Sequence, residues 1–440
     1  MIVLKFGGTS VGSAERIISV AHIVKSNISN KPVVVVSAVA KMTDALIRLA
    51  KESSEGKGDE IFGEIKRTHY KILEDLKIEN EILENDLAEL SSLSIQIQQS
   101  KQLNDAILDR FQSFGEKISS KIVAAYLNKV GIQSRAFPSW ELGLLTTDDF
   151  GNAEPLEKSY AGIKDAIAAL NLTPVITGFI GKSKKGEITT LGRGGSDYTA
   201  AIVGASIGAK EIQIWTDVDG IMSADPKVVP NAKTISKVSF AEASELAYFG
   251  ARVLHPKTLL PAIDNNIPIR VLNTFSPEHH GTTITKKSFH DDKIVKAIAY
   301  KKNITLINIR STRMLGAYGF LASIFSIFAK HKKSVDAIAT SEVAISLTID
   351  DNEDVDKIVD ELNEISSTTL YTNKAIICVV GDDLEHEPGI AGRIFSTLGK
   401  EGLNVEMISQ GASQINITFI VEGKDVEKTV IVLHNEFFGD

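Results

Sequence analysis

The stretch TLGRGGSDYTA, residues 190–200, gathers residue types that suit a small anionic ligand. Glycines at 192, 194 and 195 let the backbone come close to a ligand. Arg193 can grip a carboxylate through two parallel hydrogen bonds. Asp197 stands at the first turn of a helix whose pattern begins near Tyr198 and could equally be its N-cap, which taken singly is the favoured reading. A second cluster opens the chain: in IVLKFGGTS a strand-like run delivers Lys5 and Phe6 to the pair Gly7 and Gly8. Backbone N–H groups and a helix N-terminus after such a strand suit an anion, and the lysine supplies a mobile cation for a phosphoryl group. This is not a Walker loop, because Ser13 and Ala14 follow Gly12 where Lys and Ser or Thr belong. The third cluster is WTDVDGIMSADPK, residues 215–227. It brings Thr216 and Asp217 to the C-terminal end of a strand, where open α/β sheets bind ligands. Its Asp-Gly and Asp-Pro pairs turn the chain, so a purely turn-forming role stays open beside nucleotide or metal contact.

The elements that must position these residues alternate. Strand-like runs at 2–6, 33–39, 134–138, 174–181 and 212–218 are interleaved with amphipathic stretches such as 14–25 and 197–208. That order predicts an α/β domain with a largely parallel sheet. Residues 59–130 interrupt it: Ile65, Leu73, Leu76, Leu83, Leu87, Leu90 and Leu93 recur at helical spacing, which predicts a helical insertion packed on the sheet. Within it, Gly115 and Glu116 stand out as candidates on a helix face near the site.

The last third repeats itself. Residues 319–349 overlie 389–419 without a gap at a shift of 70, and a strand-like run, TLINIR or AIICVV, precedes each copy. Each copy reads strand, loop, helix, strand, turn, strand, and such small units are expected to pack on each other or across a dimer. The segment 292–303 is expected to be the junction before them.

Composition sets limits. The chain has 440 residues, 43% of them apolar and 24% charged, with a formal net charge of -8. It is long enough for two or three domains, and its charge gives no electrostatic case for nucleic acid. No apolar run approaches a membrane span, and the N-terminus runs straight into a strand rather than a signal peptide, so a cytoplasmic protein is expected. The single cysteine, Cys378, excludes an internal disulfide and reads as a buried strand thiol. The nine histidines show no paired ligand spacing, so no metal site built by the chain is expected.

Taken in order, KFGGTSV, VSAVAKMTD, FGE, TTLGRGGSDYTA, WTDVDGI with its following DP, and FGARVLHP resemble the aspartate kinases of the amino-acid-kinase family, over essentially the whole chain. The repeats resemble that enzyme's paired ACT modules, and MLGAYGFLASIF with SVDAIATSEVAISL is most similar to the monofunctional lysine-sensitive subclass. The resemblance implies a three-layer α/β kinase fold with a mostly parallel central sheet over residues 1–285, carrying the insertion at about 59–130. Two α+β modules of βαββαβ type follow in 286–440, at about 303–370 and 373–440. With the chain ending at Asp440, no fused dehydrogenase is expected.

The implied reaction moves the ATP γ-phosphoryl group to the β-carboxylate of L-aspartate, the first step toward lysine, threonine and methionine. An aspartate side chain with a pKa near ~4 is already ionised and needs no general base. Positioning and charge neutralisation then suffice. By the same resemblance Lys5 and Asp197 are catalytic, with Asp197 organising Lys5. Thr43, Glu116, Phe179, Arg193, Gly194, Gly195 and Ser196 bind aspartate, Glu116 facing its ammonium and Arg193 its α-carboxylate. Lys5, Phe6, Gly7, Gly8, Thr216, Asp217, Met222, Lys227, Arg252 and Val253 fall on the ATP side, with Mg2+ accompanying the nucleotide. Met222 replaces a tyrosine of familiar relatives, so no aromatic stack is expected there, and Arg252 keeps the charge of a lysine. The implied effector is L-lysine, held between two chains by Met314, Gly319, Phe320, Leu321, Val335, Asp336, Thr340, Ser341 and Glu342. The second copy carries Glu406 for Asp336 and Gln410, Gly411 and Ala412 for the TSE run. The implied assembly is a homodimer through the ACT modules, able to pair into a tetramer, without nucleic-acid or membrane partners. Another carboxylate kinase of the superfamily, or a catalytically silent amino-acid sensor, remains the alternative.

Overall fold

The computed structural model describes residues 1–250, 254–286, 294–314, 318–350, 353–382, 384, 386–410 and 414–439. They group into two compact units, Met1–Ile221 with Ser236–Phe240 and Val253–Lys287, and Met222–Ile235 with Ala241–Arg252 and Ser288–Asp440.

In the first unit the chain forms β1 (Ile2–Phe6), α1 (Ala14–Ser26), β2 (Pro32–Val36) and α2 (Met42–Ser54). Three long helices follow, α3 (Asp59–Leu76), α4 (Glu84–Ser100) and α5 (Asp105–Lys129). Then come β3 (Ser134–Phe137), β4 (Leu145–Thr146), α6 (Lys158–Ala168), β5 (Thr173–Thr177), β6 (Ile180–Ser183), β7 (Ile188–Thr190), α7 (Gly195–Ile207), β8 (Ile212–Thr216) and β9 (Lys237–Ser239). After α8 (Phe240–Tyr248), which from residue 241 belongs to the second unit, come α9 (Pro256–Asp264), β10 (Ile269–Asn273) and β11 (Thr282–Thr285).

Among the described residues eight strands make one sheet, ordered β3-β5-β2-β1-β8-β10-β11-β9, and only the β10–β11 pairing is antiparallel. Every residue of β1, β2 and β5 is buried, as strands covered on both faces require. The insertion leucines and Ile65 are buried in the same apolar cluster as Leu4, Phe6, Val34, Val36 and Val175. The expected helical insertion therefore shares the core of the sheet.

In the second unit lie β12 (Val295–Arg310), α10 (Phe320–Lys330), β13 (Ile338–Thr340), β14 (Ala344–Ile349), α11 (Val355–Asn363), β15 (Ser367–Gly381), α12 (Ile390–Lys400), β16 (Met407–Gln410), β17 (Asn416–Glu422) and α13 (Val426–Phe438). Helices α10 and α12 occupy matching positions in the two copies. The strands form one antiparallel sheet, β13-β14-β12-β15-β17-β16.

The described part of the expected junction is strand instead. Val295–Lys301 pairs with β15 at Ile376–Gly381, while Ile304–Arg310 pairs with its other end at Ser367–Lys374. One long strand thus serves both copies, because Val295, Ala297, Ile298 and Ala299 are buried rather than polar linker. Cys378 is buried in β15, as expected. Among the described residues no helix is long and apolar enough to cross a membrane.

Candidate active site

Lys5 is the penultimate residue of the central strand β1, and its Nζ lies 2.6 Å from Asp197 Oδ1. The two side chains are 9% and 14% exposed, so this pair is well shielded from water. Asp197 is not the helix cap. Helix α7 starts at Gly195, with Gly194 as its cap at φ 71°, and Asp197 sits inside the first turn. A carboxylate there complements the helix N-terminus and holds the lysine in one place. Helix α1, by contrast, starts only at Ala14, where Ser13 Oγ accepts the Arg16 N–H. The Gly7–Gly8 pair is consequently a turn of its own.

Around Lys5 opens a cavity of about 680 Å³, lined among others by Gly8, Thr43, Glu116, Phe179, Arg193 and Ser196. The structure thus brings together on one wall set every residue expected to hold aspartate, Gly194 and Gly195 included. The glycines are there for close packing. A Cβ on Gly8 would sit 2.8 Å from Ala38 O, and one on Gly195 2.6 Å from the Phe179 ring. Phe179 itself has φ 65°, as does nearby Lys41 at 66°. Left-handed backbone at non-glycine residues costs energy and gathers at sites that need it.

Glu116 is fully enclosed on α5. Its Oε1 accepts the Ala38 N–H at 2.9 Å, and Oε2 is buried with no hydrogen-bond partner among the described residues. Burial away from water pushes its pKa up to about 8, against the opposing pull of the Ala38 N–H and the charge of Lys5. Before a cation is bound, Glu116 is therefore mainly the neutral carboxylic acid at pH 7, ready to ionise beside one. His255, whose Cβ packs against Gly194, is kept neutral by burial and by the Arg193 and Lys257 charges, which suits a structural part.

Sequence reasoning missed several wall residues: Ser37, Asp44, Ile47, Gln112, Gly151 and Thr190. Gln112 lies one helical turn before Glu116, so the 3.6-residue period was a signal for it. Thr190 heads the TLGRGGSDYTA stretch itself, at the end of β7, whereas Gly151 arrives from a distant turn and carried no signal.

On the expected nucleotide side, Thr216 ends β8 beside β1 and Asp217 follows it, as Phe6 is in register with Trp215. Gly7 N–H is already committed to Trp215 O at 3.0 Å. In the second unit, Met222 bridges to Thr234, and Lys227 is exposed after the turn at Asp225. Arg252 and Val253 lie outside the described residues.

The expected effector residues all belong to the second unit. Gly319 caps α10 and Leu321 is exposed, Met314, Phe320 and Val335 pack against the apolar cluster under β14, and Thr340, Ser341 and Glu342 are exposed. Asp336 is already engaged: Tyr248 donates to its Oδ1 at 2.6 Å and Lys301 Nζ lies at 3.2 Å, while its buried Oδ2 has no hydrogen-bond partner among the described residues. In the second copy Glu406 pairs with Lys374 at 2.6 Å, while Gly411 and Ala412 lie outside the described residues.

Residues 1–273 match the amino acid kinase family and residues 377–437 an ACT domain. The chain is 41% identical to aspartokinase 3 of Arabidopsis thaliana, a chloroplast protein, over 99% of this chain and 81% of that one. It is 38% identical to the lysine-sensitive aspartokinase 3 of Escherichia coli over 100% and 99% of the two chains. The chain belongs to the aspartokinases. The fold agrees: the crystal structure of E. coli aspartokinase III in complex with aspartate and ADP superposes with a TM-score of 0.87 at 36% identity, covering 100% of both chains. The same protein in complex with lysine and aspartate gives 0.81 at 35% identity, covering 100% of this chain and 99% of that one. The expected α/β kinase fold with a mostly parallel sheet followed by ACT domains is thereby the fold of this chain.

Proposed function

We propose that the chain phosphorylates the β-carboxylate of L-aspartate with ATP and is inhibited by L-lysine. The observation that carries this reading is the Lys5–Asp197 pair sharing one cavity with Arg193 and Glu116. The Arg193 guanidinium takes the α-carboxylate and Glu116 takes the ammonium, leaving the β-carboxylate directed at Lys5. Thr43, Phe179 and the backbone of Gly194, Gly195 and Ser196 complete the enclosure. A β-carboxylate oxygen forms a bond to the γ-phosphorus as the bond to the β,γ-bridging oxygen breaks, so 4-phospho-L-aspartate and ADP result with no proton transferred. Lys5 neutralises charge on the moving group, and Asp197 keeps its ammonium in place. Gly8 supplies the backbone donor that Gly7 has spent, and Thr216 and Asp217 take the nucleotide, with Met222, Lys227, Arg252 and Val253 assigned to it by resemblance alone.

Mg2+ is assigned to the ATP phosphates, where it would neutralise their charge. Among the described residues no three His, Cys, Asp or Glu side chains gather to hold a metal, so no ligand set on the chain is assigned to it. The same reading assigns lysine to the first ACT copy, with its ammonium on Oδ2 of Asp336, which has no hydrogen-bond partner among the described residues. Exposed Tyr318, Leu321 and Phe325 support assembly as a homodimer through these modules.

The test is aspartyl hydroxamate formation from Mg-ATP, L-aspartate and hydroxylamine, with and without lysine. Aspartate-dependent product suppressed by lysine supports both halves of the reading. Product indifferent to lysine removes the effector, and no product would favour an amino-acid sensor. Arg193→Ala is expected to cost about 1.5 to 3 kcal/mol of aspartate binding, roughly a ten- to 150-fold rise in the KM for aspartate. An unchanged KM would refute the assignment.

Glu116 makes binding pH-dependent. Its pKa of about 8 without substrate must fall once an ammonium lies beside it. Aspartate binding is therefore expected to release close to one proton below pH 8 and none well above it, with affinity rising as pH approaches 8 from below. Calorimetry in buffers of different ionisation enthalpy checks this, and Glu116→Gln should abolish the release. Proton-neutral binding at pH 7 by the unaltered protein would rule it out.

A further inference from the structure

Asp109 is buried on α5, two helical turns before Glu116, with 1% of its surface exposed. It does not line the cavity, yet it holds two segments that do. Its Oδ2 accepts the backbone N–H of Gly151 at 3.0 Å and that of Thr190 at 2.8 Å, and its Oδ1 accepts the Thr190 hydroxyl at 2.8 Å. Thr190 is the last residue of β7, immediately before the Leu191–Gly195 run that carries Arg193. The turn at Gly151 packs on that run from the other side: a Cβ on Gly192 would lie 2.9 Å from Asn152 Oδ1 and 3.1 Å from Gly151 O. Lys257 ties the far end of the same turn, 2.6 Å from Glu154, and Tyr198 on α7 donates to Glu154 at 2.9 Å.

We propose that Asp109 is a positioning residue that sets the aspartate-side wall, fixing the Gly151 turn against the glycine run so that Arg193 is presented at a constant distance from Glu116. This rests on the substrate reading above. Helix α5 then carries both rulers of the pocket: Glu116 meets one end of the substrate, and Asp109 locates the loop that meets the other. The nucleotide side of β1 and β8 receives no bond from Asp109.

The chemistry separates geometry from charge. In Asp109→Asn the amide oxygen can take the two N–H groups and the amide nitrogen can donate to the Thr190 hydroxyl, which turns from donor to acceptor. In Asp109→Ala all three bonds are lost. Asp109→Ala is expected to raise the KM for aspartate about ten-fold or more with the KM for ATP within about two-fold, while Asp109→Asn recovers aspartate KM to within about three-fold. Amide hydrogen exchange at Gly151 and over Leu191–Gly195 should quicken in the alanine variant alone. Should that variant not fold, Thr190→Val, which deletes only the hydroxyl bond, is expected to raise the aspartate KM a few-fold and leave ATP untouched. Equal shifts in both KM values, or none in aspartate KM in a folded variant, overturn the proposal. Arg193→Ala run in parallel keeps the two readings apart. If it impairs aspartate binding while Asp109→Ala does not, only the positioning role falls; if it leaves aspartate KM unchanged, the substrate reading falls first.

Discussion

Lys5→Met is expected to lower kcat by about 10³-fold or more, in the range that a transition-state cation supplies to phosphoryl transfer, which is about 4 kcal/mol of barrier. The reason is geometric as well as electrostatic. Lys5 is the penultimate residue of a fully buried strand paired on both sides, so its ammonium is aimed by the sheet and fixed by Asp197 at 2.6 Å. Charge placed before the reaction costs no reorganisation during it. Methionine keeps most of the volume and removes only the cation, so the KM for aspartate should move far less than kcat. A double-mutant cycle extends the argument: if Asp197 acts by organising Lys5, Asp197→Asn should be severe alone and nearly silent in the Lys5→Met background. Initial rates of hydroxamate formation measure all four corners. A Lys5→Met protein within ten-fold of the parent, or two additive losses, would deny the pair its role.

How far the sequence carried depended on the range of the interaction. The strand carrying Lys5, the parallel sheet and the helical insertion were legible because each rests on local periodicity, and the paired copies because the sequence repeats itself at a shift of 70. Glu116 was legible from FGE, but its partner Ala38 lies 78 residues away, and that bond could not be read. Asp109 was silent for the same reason, its acceptor atoms meeting donors 42 and 81 residues distant. The start of α7 was placed near Tyr198 because glycine argues against helix. In the structure Gly194 adopts the left-handed cap and the helix begins at once, which settles Asp197 in the first turn rather than at the cap. The long strand β12 looked like a junction because its neighbour in the sheet comes some seventy residues later, in β15.

The second large effect concerns stability. Lys296→Met is expected to destabilise the second unit by about 3 to 5 kcal/mol, the usual result of removing one partner from a buried ion pair. Lys296 Nζ lies 2.7 Å from Glu242 Oε1, and the side chains are 4% and 0% exposed. Lys296 is the second residue of β12, whereas Glu242 belongs to α8, in the stretch matched to the kinase family. The same helix sends Glu245 to Asn416 at 2.6 Å and Tyr248 to Asp336. Three polar links thus bind α8 to the strands and loops of the ACT copies, and among them only the Lys296–Glu242 pair is wholly enclosed. Removing the ammonium takes one cationic partner from the Glu242 carboxylate in a site closed to water, and the cost falls on both elements. Lys296→Met with Glu242→Gln removes both charges and should recover most of the loss, because the penalty belongs to the unbalanced charge rather than to the missing contact. With two units in the chain a single unfolding midpoint is ambiguous, so the measurement is native-state hydrogen exchange over β12 and α8. Faster exchange there in the single variant, reversed in the double, is the expected pattern. Equal protection in the single variant and the parent would mean that the pair contributes nothing to holding α8 on β12.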